Sequence, residues 1–122
     1  MSSPQSSLQQ KRLRRLEKLY GGLKRSLVEI GFIFPGSIVK RFMPCGKPSC
    51  RCATDVSKRH GPYYEWTRKL KGKTVTVRLT AEQALRYEDW IRNRRKLKKI
   101  LMRMQAVSIQ AAQTQTTTML RH

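Results

Sequence analysis

The apolar residues near the start of the chain follow a helical period. Beginning at a capping signal around Ser7, they recur at spacings of three and four residues, which places them on one face of an amphipathic helix. The series is Leu13, Leu16, Tyr20, Leu23, Leu27 and Ile30. The pair Gly21–Gly22 predicts a bend or weak point, since each glycine costs about 1 kcal/mol relative to alanine. Gly31 and Pro35 predict the end of the helix.

Further along the chain the apolar period changes to two, which is typical of half-buried strands. Residues 38–42, 63–70 and 74–79 are the predicted strands, and Lys71–Gly72–Lys73 forms the turn between the last two. One face of this hairpin is apolar and comprises Tyr64, Trp66, Leu70, Val75, Val77 and Leu79. The other face is basic and rich in threonine, and comprises Tyr63, Glu65, Thr67, Lys69, Thr74, Thr76 and Arg78.

A second, longer helix is predicted after the hairpin. Thr80 and Gln83 have the spacing of a capping box. The apolar stripe of this helix comprises Tyr87, Trp90, Ile91, Leu97, Ile100, Leu101, Met104 and Val107. Beyond Gln110 the chain is rich in glutamine and threonine, a composition that predicts fraying.

Three cysteines and one histidine lie between the first strand and the hairpin. Cys45, Cys50, Cys52 and His60 have the spacing C-x4-C-x-C-x7-H, among glycines and prolines that allow sharp turns. Zinc prefers four sulfur or nitrogen donors, so the pattern predicts a structural Zn2+ site. Two other interpretations stay open, namely ordinary thiols in a loop and a redox or nucleophilic thiol. Whether His60 is the fourth ligand is also left open.

These elements together predict an α+β fold. It comprises an N-terminal helix, a short antiparallel sheet of two or three strands stapled by a zinc knuckle, and a long basic C-terminal helix. We expect residues 1–7 to be a disordered lead, residues 8–107 to be a single zinc-containing basic domain, and residues 108–122 to be a frayed Gln/Thr-rich tail.

The chain is strongly basic along its whole length. It contains 27 Lys and Arg against 7 Asp and Glu in 122 residues, a formal net charge of +20. The excess is found in every segment and not in a detachable tail, and binding of a polyanion relieves self-repulsion of this kind. We therefore expect nucleic acid as the partner, with DNA favoured over RNA.

The basic residues expected to contact nucleic acid lie on the hairpin and on the second helix. They are Arg68, Lys69, Lys71, Lys73, Arg78, Arg92, Arg94, Arg95, Lys96, Lys98 and Lys99. A twisted ribbon fits the major groove, and Tyr63, Tyr64 and Trp66 could stack on bases. The helical run contains no acidic residue, unlike helices laced with ion pairs, but a solvated face is the alternative interpretation.

The sequence favours a non-enzymatic, zinc-stabilised nucleic-acid-binding protein. The alternative is a helical scaffold whose apolar seams bind a protein partner or a second copy of the chain. No phosphate-binding loop, dinucleotide fingerprint or HExxH motif is present. The one route to hydrolysis would exist if His60 were not a ligand, since a zinc site of three thiolates could hold a water. With neither a long apolar run nor a secretory signal, we expect a cytoplasmic protein without a membrane partner.

Two families share motifs with this chain. The string PGSIVKRFMPCGKPSCRC, followed by HGPYYEW, GKTVTV and a basic helix, resembles a family of small basic bacterial and archaeal proteins of unknown function over about residues 13–104. That resemblance implies an association with mobile elements and marks the three cysteines and His60 as a shared site. The same resemblance implies a role as an accessory to a transposase, recombinase or other DNA-processing machine. Residues 61–92 are also similar to the three-stranded DNA-binding module of phage-type integrases, which implies a similar mode of DNA binding.

Overall fold

The chain has the α+β fold that its hydrophobic pattern predicts. A computed structural model describes residues 7–119, so residues 1–6 of the expected lead and residues 120–122 of the expected tail lie outside the described residues. The elements in chain order are helix α1 (Ser7–Leu27), strands β1 (Ser37–Met43), β2 (His60–Leu70) and β3 (Lys73–Leu79), and helix α2 (Ala81–Met119). The strands form one antiparallel sheet in the order β1-β2-β3.

The two helices differ from the expected ones mainly at their ends. Helix α1 runs through Gly21 and Gly22 without a break and stops at Leu27, three residues before the expected end at Ile30. The turn that follows is tighter than an α-helix, since the Glu29 N–H donates to the Ser26 carbonyl at 3.3 Å. Helix α2 continues to Met119, past the point at which fraying is predicted.

The predicted capping box of α2 is confirmed. The Thr80 N–H donates to Gln83 Oε1 at 3.0 Å, and the Gln83 N–H donates to Thr80 Oγ1 at 3.1 Å. The two hydrogen bonds satisfy backbone donors that have no partner within the helix, which fixes its start directly after β3.

A cluster of aromatic residues forms the core against one face of the sheet. Trp66 and Leu79 pack with Ala84 of α2, and half-buried Phe34, Ile38, Tyr64 and Tyr87 surround them. Phe34 stacks on Trp66 with ring centroids 4.4 Å apart. We call this the inner face of the sheet. It is covered only in part, because Leu70, at the hairpin end, and Val77, opposite Trp66, remain 49% and 42% exposed.

The segment before β1 is held to the core through Trp66. The Trp66 indole N–H donates to the Pro35 carbonyl at 2.8 Å. Gly36, the next residue, has φ +89°, and a Cβ there would clash with the Thr67 carbonyl oxygen and lie 2.8 Å from Trp66 Nε1. Only glycine combines this backbone conformation with so close an approach.

The described chain forms two compact units. Residues 7–31 and 95–119 form a helical unit, and Phe32–Arg94 form a sheet unit that contains the aromatic core. In the helical unit the buried apolar residues are Leu16 of α1 and Ile100, Met104 and Val107 of α2. None of the helices among the described residues combines the length and apolar character needed to span a lipid bilayer.

Candidate metal centre and basic surfaces

The register of the sheet brings the two ends of the cysteine segment together. Met43, the last residue of β1, pairs with His60, the first residue of β2. Cys45 follows Met43 by two residues, so it lies beside His60 although fifteen residues separate them in sequence. The backbones of β1 and β2 approach each other closely at Gly61. A Cβ at that position would lie 2.8 Å from the Arg41 carbonyl oxygen.

Short turns between β1 and β2 bring Cys50 and Cys52 close to Cys45 and His60. The Cys50 N–H donates to the Lys47 carbonyl at 3.0 Å, and a 3₁₀ turn over Arg51–Ala53 carries Cys52 inward, where it is 3% exposed. A second 3₁₀ turn, Val56–Lys58, is capped by the Asp55 carboxylate, which accepts from the Ser57 N–H at 3.0 Å. The chain then enters β2 at His60.

The four donor atoms converge as a metal site requires. Cys45 Sγ, Cys50 Sγ, Cys52 Sγ and a ring nitrogen of His60 lie within 4.8 Å of one another. The Cys50 Sγ to His60 Nε2 distance is 3.3 Å, and the Cys45 Sγ to Cys52 Sγ distance is 3.4 Å. Zn–S bonds of about 2.3 Å and Zn–N bonds of about 2.0 Å put tetrahedral ligands at comparable separations. The residues present therefore fit a four-coordinate metal ion.

The surroundings shift the pKa of the Cys50 thiol down and the pKa of the Cys52 thiol up. The Cys52 N–H lowers the pKa of the Cys50 thiol, and the side chains of Cys52 and Cys45 act in the same direction. The Cys45 N–H donates to Cys52 Sγ at 3.2 Å and lowers the pKa of that thiol, but burial and the neighbouring thiols prevail and raise it. A metal cation would favour the thiolate form of all three cysteines at once.

The sheet turns a charged surface away from the aromatic core. Alternation along paired strands puts one set of side chains on the side opposite Trp66, which we call the outer face. It comprises Ser37, Val39, Arg41, Tyr63, Glu65, Thr67, Lys69, Thr74, Thr76 and Arg78. Arg41 Nε lies 2.6 Å from Glu65 Oε1, and the Arg78 guanidinium lies 4.6 Å from the Tyr63 ring centroid.

The expected nucleic-acid-binding residues of the hairpin fall in three places. Lys69 and Arg78 lie on the outer face, and Lys71 and Lys73 lie at the hairpin tip. Arg68 instead lies on the inner face, with its guanidinium 4.3 Å from the Trp66 ring centroid. Tyr64 and Trp66 also face inward, so of the three aromatic residues considered for base stacking only Tyr63 lies on the outer face.

The basic run of α2 is largely exposed. Arg92 and Arg94 belong to the sheet unit, and Arg92 pairs with Asp89 one turn earlier. The remaining four, Arg95, Lys96, Lys98 and Lys99, belong to the helical unit and are all exposed.

Sequence reasoning did not include Arg41 among the candidate residues. The strand that contains it was predicted, but its antiparallel pairing with β2 was not, and only this pairing places Arg41 beside Tyr63 and Glu65.

Comparison with known families finds one family model that matches this chain. The family model described as a domain of unknown function (DUF6788) matches residues 7–92, which include both the cysteine segment and the sheet. The chain belongs to the DUF6788 family. No curated protein and no solved structure matches this DUF6788 chain. The expected family of unknown function is thereby confirmed, whereas the similarity to integrases and the association with mobile elements stay predictions.

Proposed function

We propose that this DUF6788 protein is a non-enzymatic, zinc-stabilised nucleic-acid-binding protein that prefers DNA to RNA. The observation that carries the zinc part is the convergence of three sulfur atoms and one imidazole nitrogen within 4.8 Å. Thiolate and imidazole donors in this number suit zinc better than hard cations, which prefer oxygen ligands. Four protein donors would leave no open position for a reacting water, which supports a structural role.

The nucleic-acid part is supported by the small number of neutralised cations. All basic residues except Arg121 lie among residues 7–119, and the side chains in this part of the chain form two ion pairs, Arg41–Glu65 and Arg92–Asp89. Most of the other cations in this part of the chain are exposed. Phosphate groups are the ligands that such a surface attracts, with release of counterions.

A role as an accessory to a transposase, recombinase or other DNA-processing machine is the further part of this proposal. This role is supported by sequence resemblance. It concerns the process in which the protein takes part, whereas the binding of DNA is argued separately from the basic surface.

The experiment is a salt titration of binding by nuclease-treated, zinc-loaded protein to duplex DNA, single-stranded DNA and structured RNA of matched length. Contact with about 6–10 phosphates lowers affinity by roughly three to five orders of magnitude between about 50 and 200 mM salt. We expect this steepness and the tightest binding to duplex DNA. Weak, shallow and equal binding to all three polymers would overturn the proposal.

A second function is favoured by a groove in the helical unit. It has a volume of about 380 Å³, and its apolar walls include Leu16 and Tyr20 of α1 and Val107 and Ala111 of α2. A scaffold that binds a protein partner through its helices would use such a groove. Shallow binding to every nucleic acid together with a stable protein complex would make this the leading function.

A further inference from the structure

Two arginines on the outer face are held in place by neighbouring side chains. Arg41 contacts Glu65 through Nε, with 2.6 Å between Nε and Oε1. The Arg41 side chain is 54% exposed and the Glu65 side chain only 19% exposed. The carboxylate is therefore recessed in the sheet surface, and the guanidinium projects over it.

Arg78 is held by an aromatic ring. Its guanidinium lies over Tyr63, with 4.6 Å between Cζ and the ring centroid. When an arginine stacks on a ring, the face of the guanidinium meets the ring and its N–H edge stays available for hydrogen bonds. Arg78 is also directly opposite Glu65 in the register of β2 and β3, so the carboxylate lies between the two arginines.

We infer that Arg41 and Arg78 read guanine in the major groove of duplex DNA, with Glu65 and Tyr63 as positioning residues. This inference rests on the proposed nucleic-acid binding and adds sequence preference to it. An arginine fork that donates to guanine O6 and N7 is the commonest specific contact in that groove. A side chain already fixed before binding loses less conformational entropy on making such a contact than a free one. Thr67 and Thr76, which pair across β2 and β3, supply hydroxyl groups next to Arg78 along the outer face.

The dimensions and composition of the outer face favour duplex DNA over other polymers. Neighbouring strands lie about 4.8 Å apart, so three strands span about 10 Å, and the major groove of B-DNA is about 12 Å wide. The deep, narrow major groove of RNA duplexes does not admit a sheet. Single-strand binding relies on aromatic platforms, and the single aromatic residue of the outer face, Tyr63, is already covered by Arg78.

The test is selection of binding sites from a pool of randomised duplex DNA by the zinc-loaded full chain, followed by replacement of each guanine in a selected site with 7-deazaguanine. That base pairs normally but lacks the N7 acceptor. We expect guanine enrichment, and a loss of affinity of about 10- to 100-fold at the contacted guanines. Arg78→Lys keeps the charge and loses the fork, so it should abolish the preference at the guanine that Arg78 contacts, retain the preference at the guanine that Arg41 contacts, and leave the salt dependence unchanged.

Three further variants separate positioning from folding. Glu65→Gln should lower the ratio of selected-site to random-site affinity without weakening random-site binding, because it removes a negative charge. Tyr63→Phe keeps the ring and should retain the ratio that Tyr63→Leu loses. As the matched control, Lys73→Gln should weaken binding to all duplexes alike. Equal zinc content and equal melting temperature establish that each variant is folded.

Different results would contradict guanine reading and the proposed nucleic-acid binding. Steep salt dependence without base enrichment, or indifference to 7-deazaguanine, would overturn guanine reading and leave the proposed function in place. Preference for RNA or single strands would overturn the duplex assignment. Absence of salt-dependent binding to every polymer would overturn both proposals.

Discussion

Cys50 Sγ lies 3.3 Å from His60 Nε2, and this contact joins the cysteine knuckle to the sheet. His60 is the first residue of β2, which pairs with both other strands, whereas Cys50 lies in a turn outside any strand. A metal ion at this position would therefore connect the knuckle to the central strand of the sheet. In a sheet with a partly covered apolar face, such a connection would contribute folding energy that packing does not provide.

Removal of one donor should destabilise the protein. Cys50→Ser is expected to lose about one equivalent of bound metal and to lower the melting temperature by at least about 10 °C, since 1 kcal/mol shifts the midpoint of a small domain by roughly 4–8 °C. Metal analysis and thermal unfolding measure the two effects. Arg51→Gln, at an exposed neighbour that is not a donor, should change neither quantity. Unchanged metal content in the Cys50→Ser protein would contradict the metal assignment.

Gly36 should tolerate substitution much less well than Gly72. Both have positive φ, +89° and +79°, but a Cβ on Gly72 meets no atom within 4 Å, whereas one on Gly36 clashes with the Thr67 carbonyl oxygen. Gly72→Ala should cost about 1 kcal/mol through backbone strain alone. Gly36→Ala should cost clearly more, because it also disturbs the contact between Pro35 and Trp66. Urea denaturation of the two variants measures the difference, and equal costs would show that the clash relaxes freely.

Much of the fold and of the metal centre could be predicted from local pattern. Strand period, capping-box spacing and donor spacing act over a few residues, so β2, β3 and the start of α2 lie close to their predicted positions. Donor spacing marked Cys45 and His60 as candidate ligands, but their convergence depends on the pairing of Met43 with His60 across β1 and β2, which the local pattern does not show.

The placement of individual arginines could be predicted from sequence spacing only in part. Arg68 has the parity of Trp66 along β2, so it had to point inward, and a cation there is accommodated by stacking on the Trp66 ring. Arg41 joins the outer face because β1 pairs with β2 and not with β3, a choice of neighbour that the pattern of β1 alone leaves undetermined.

The capping box of α2 should contribute measurably to stability. Thr80→Ala removes the hydroxyl that accepts from the Gln83 N–H, and loss of such a cap costs about 1 kcal/mol. Thr80→Ser keeps the hydroxyl and should recover most of the loss. Chemical denaturation of both variants gives the comparison, and equal destabilisation by alanine and serine would show that the hydroxyl contributes nothing.

The basic residues of α2 within the helical unit should account for part of the salt dependence of nucleic-acid binding. Replacement of Arg95, Lys96, Lys98 and Lys99 with glutamine should reduce the slope of log affinity against log salt by up to about 3.6, since each phosphate contact on duplex DNA contributes about 0.9. A matched control in the same unit replaces four cations of α1, namely Arg12, Lys18, Lys24 and Arg25, with the same change in net charge. If the α2 run contacts phosphate directly, its variant should flatten the slope more than the control does. Equal flattening would mean that the helical unit attracts DNA through its overall charge, and would contradict direct contact by this run.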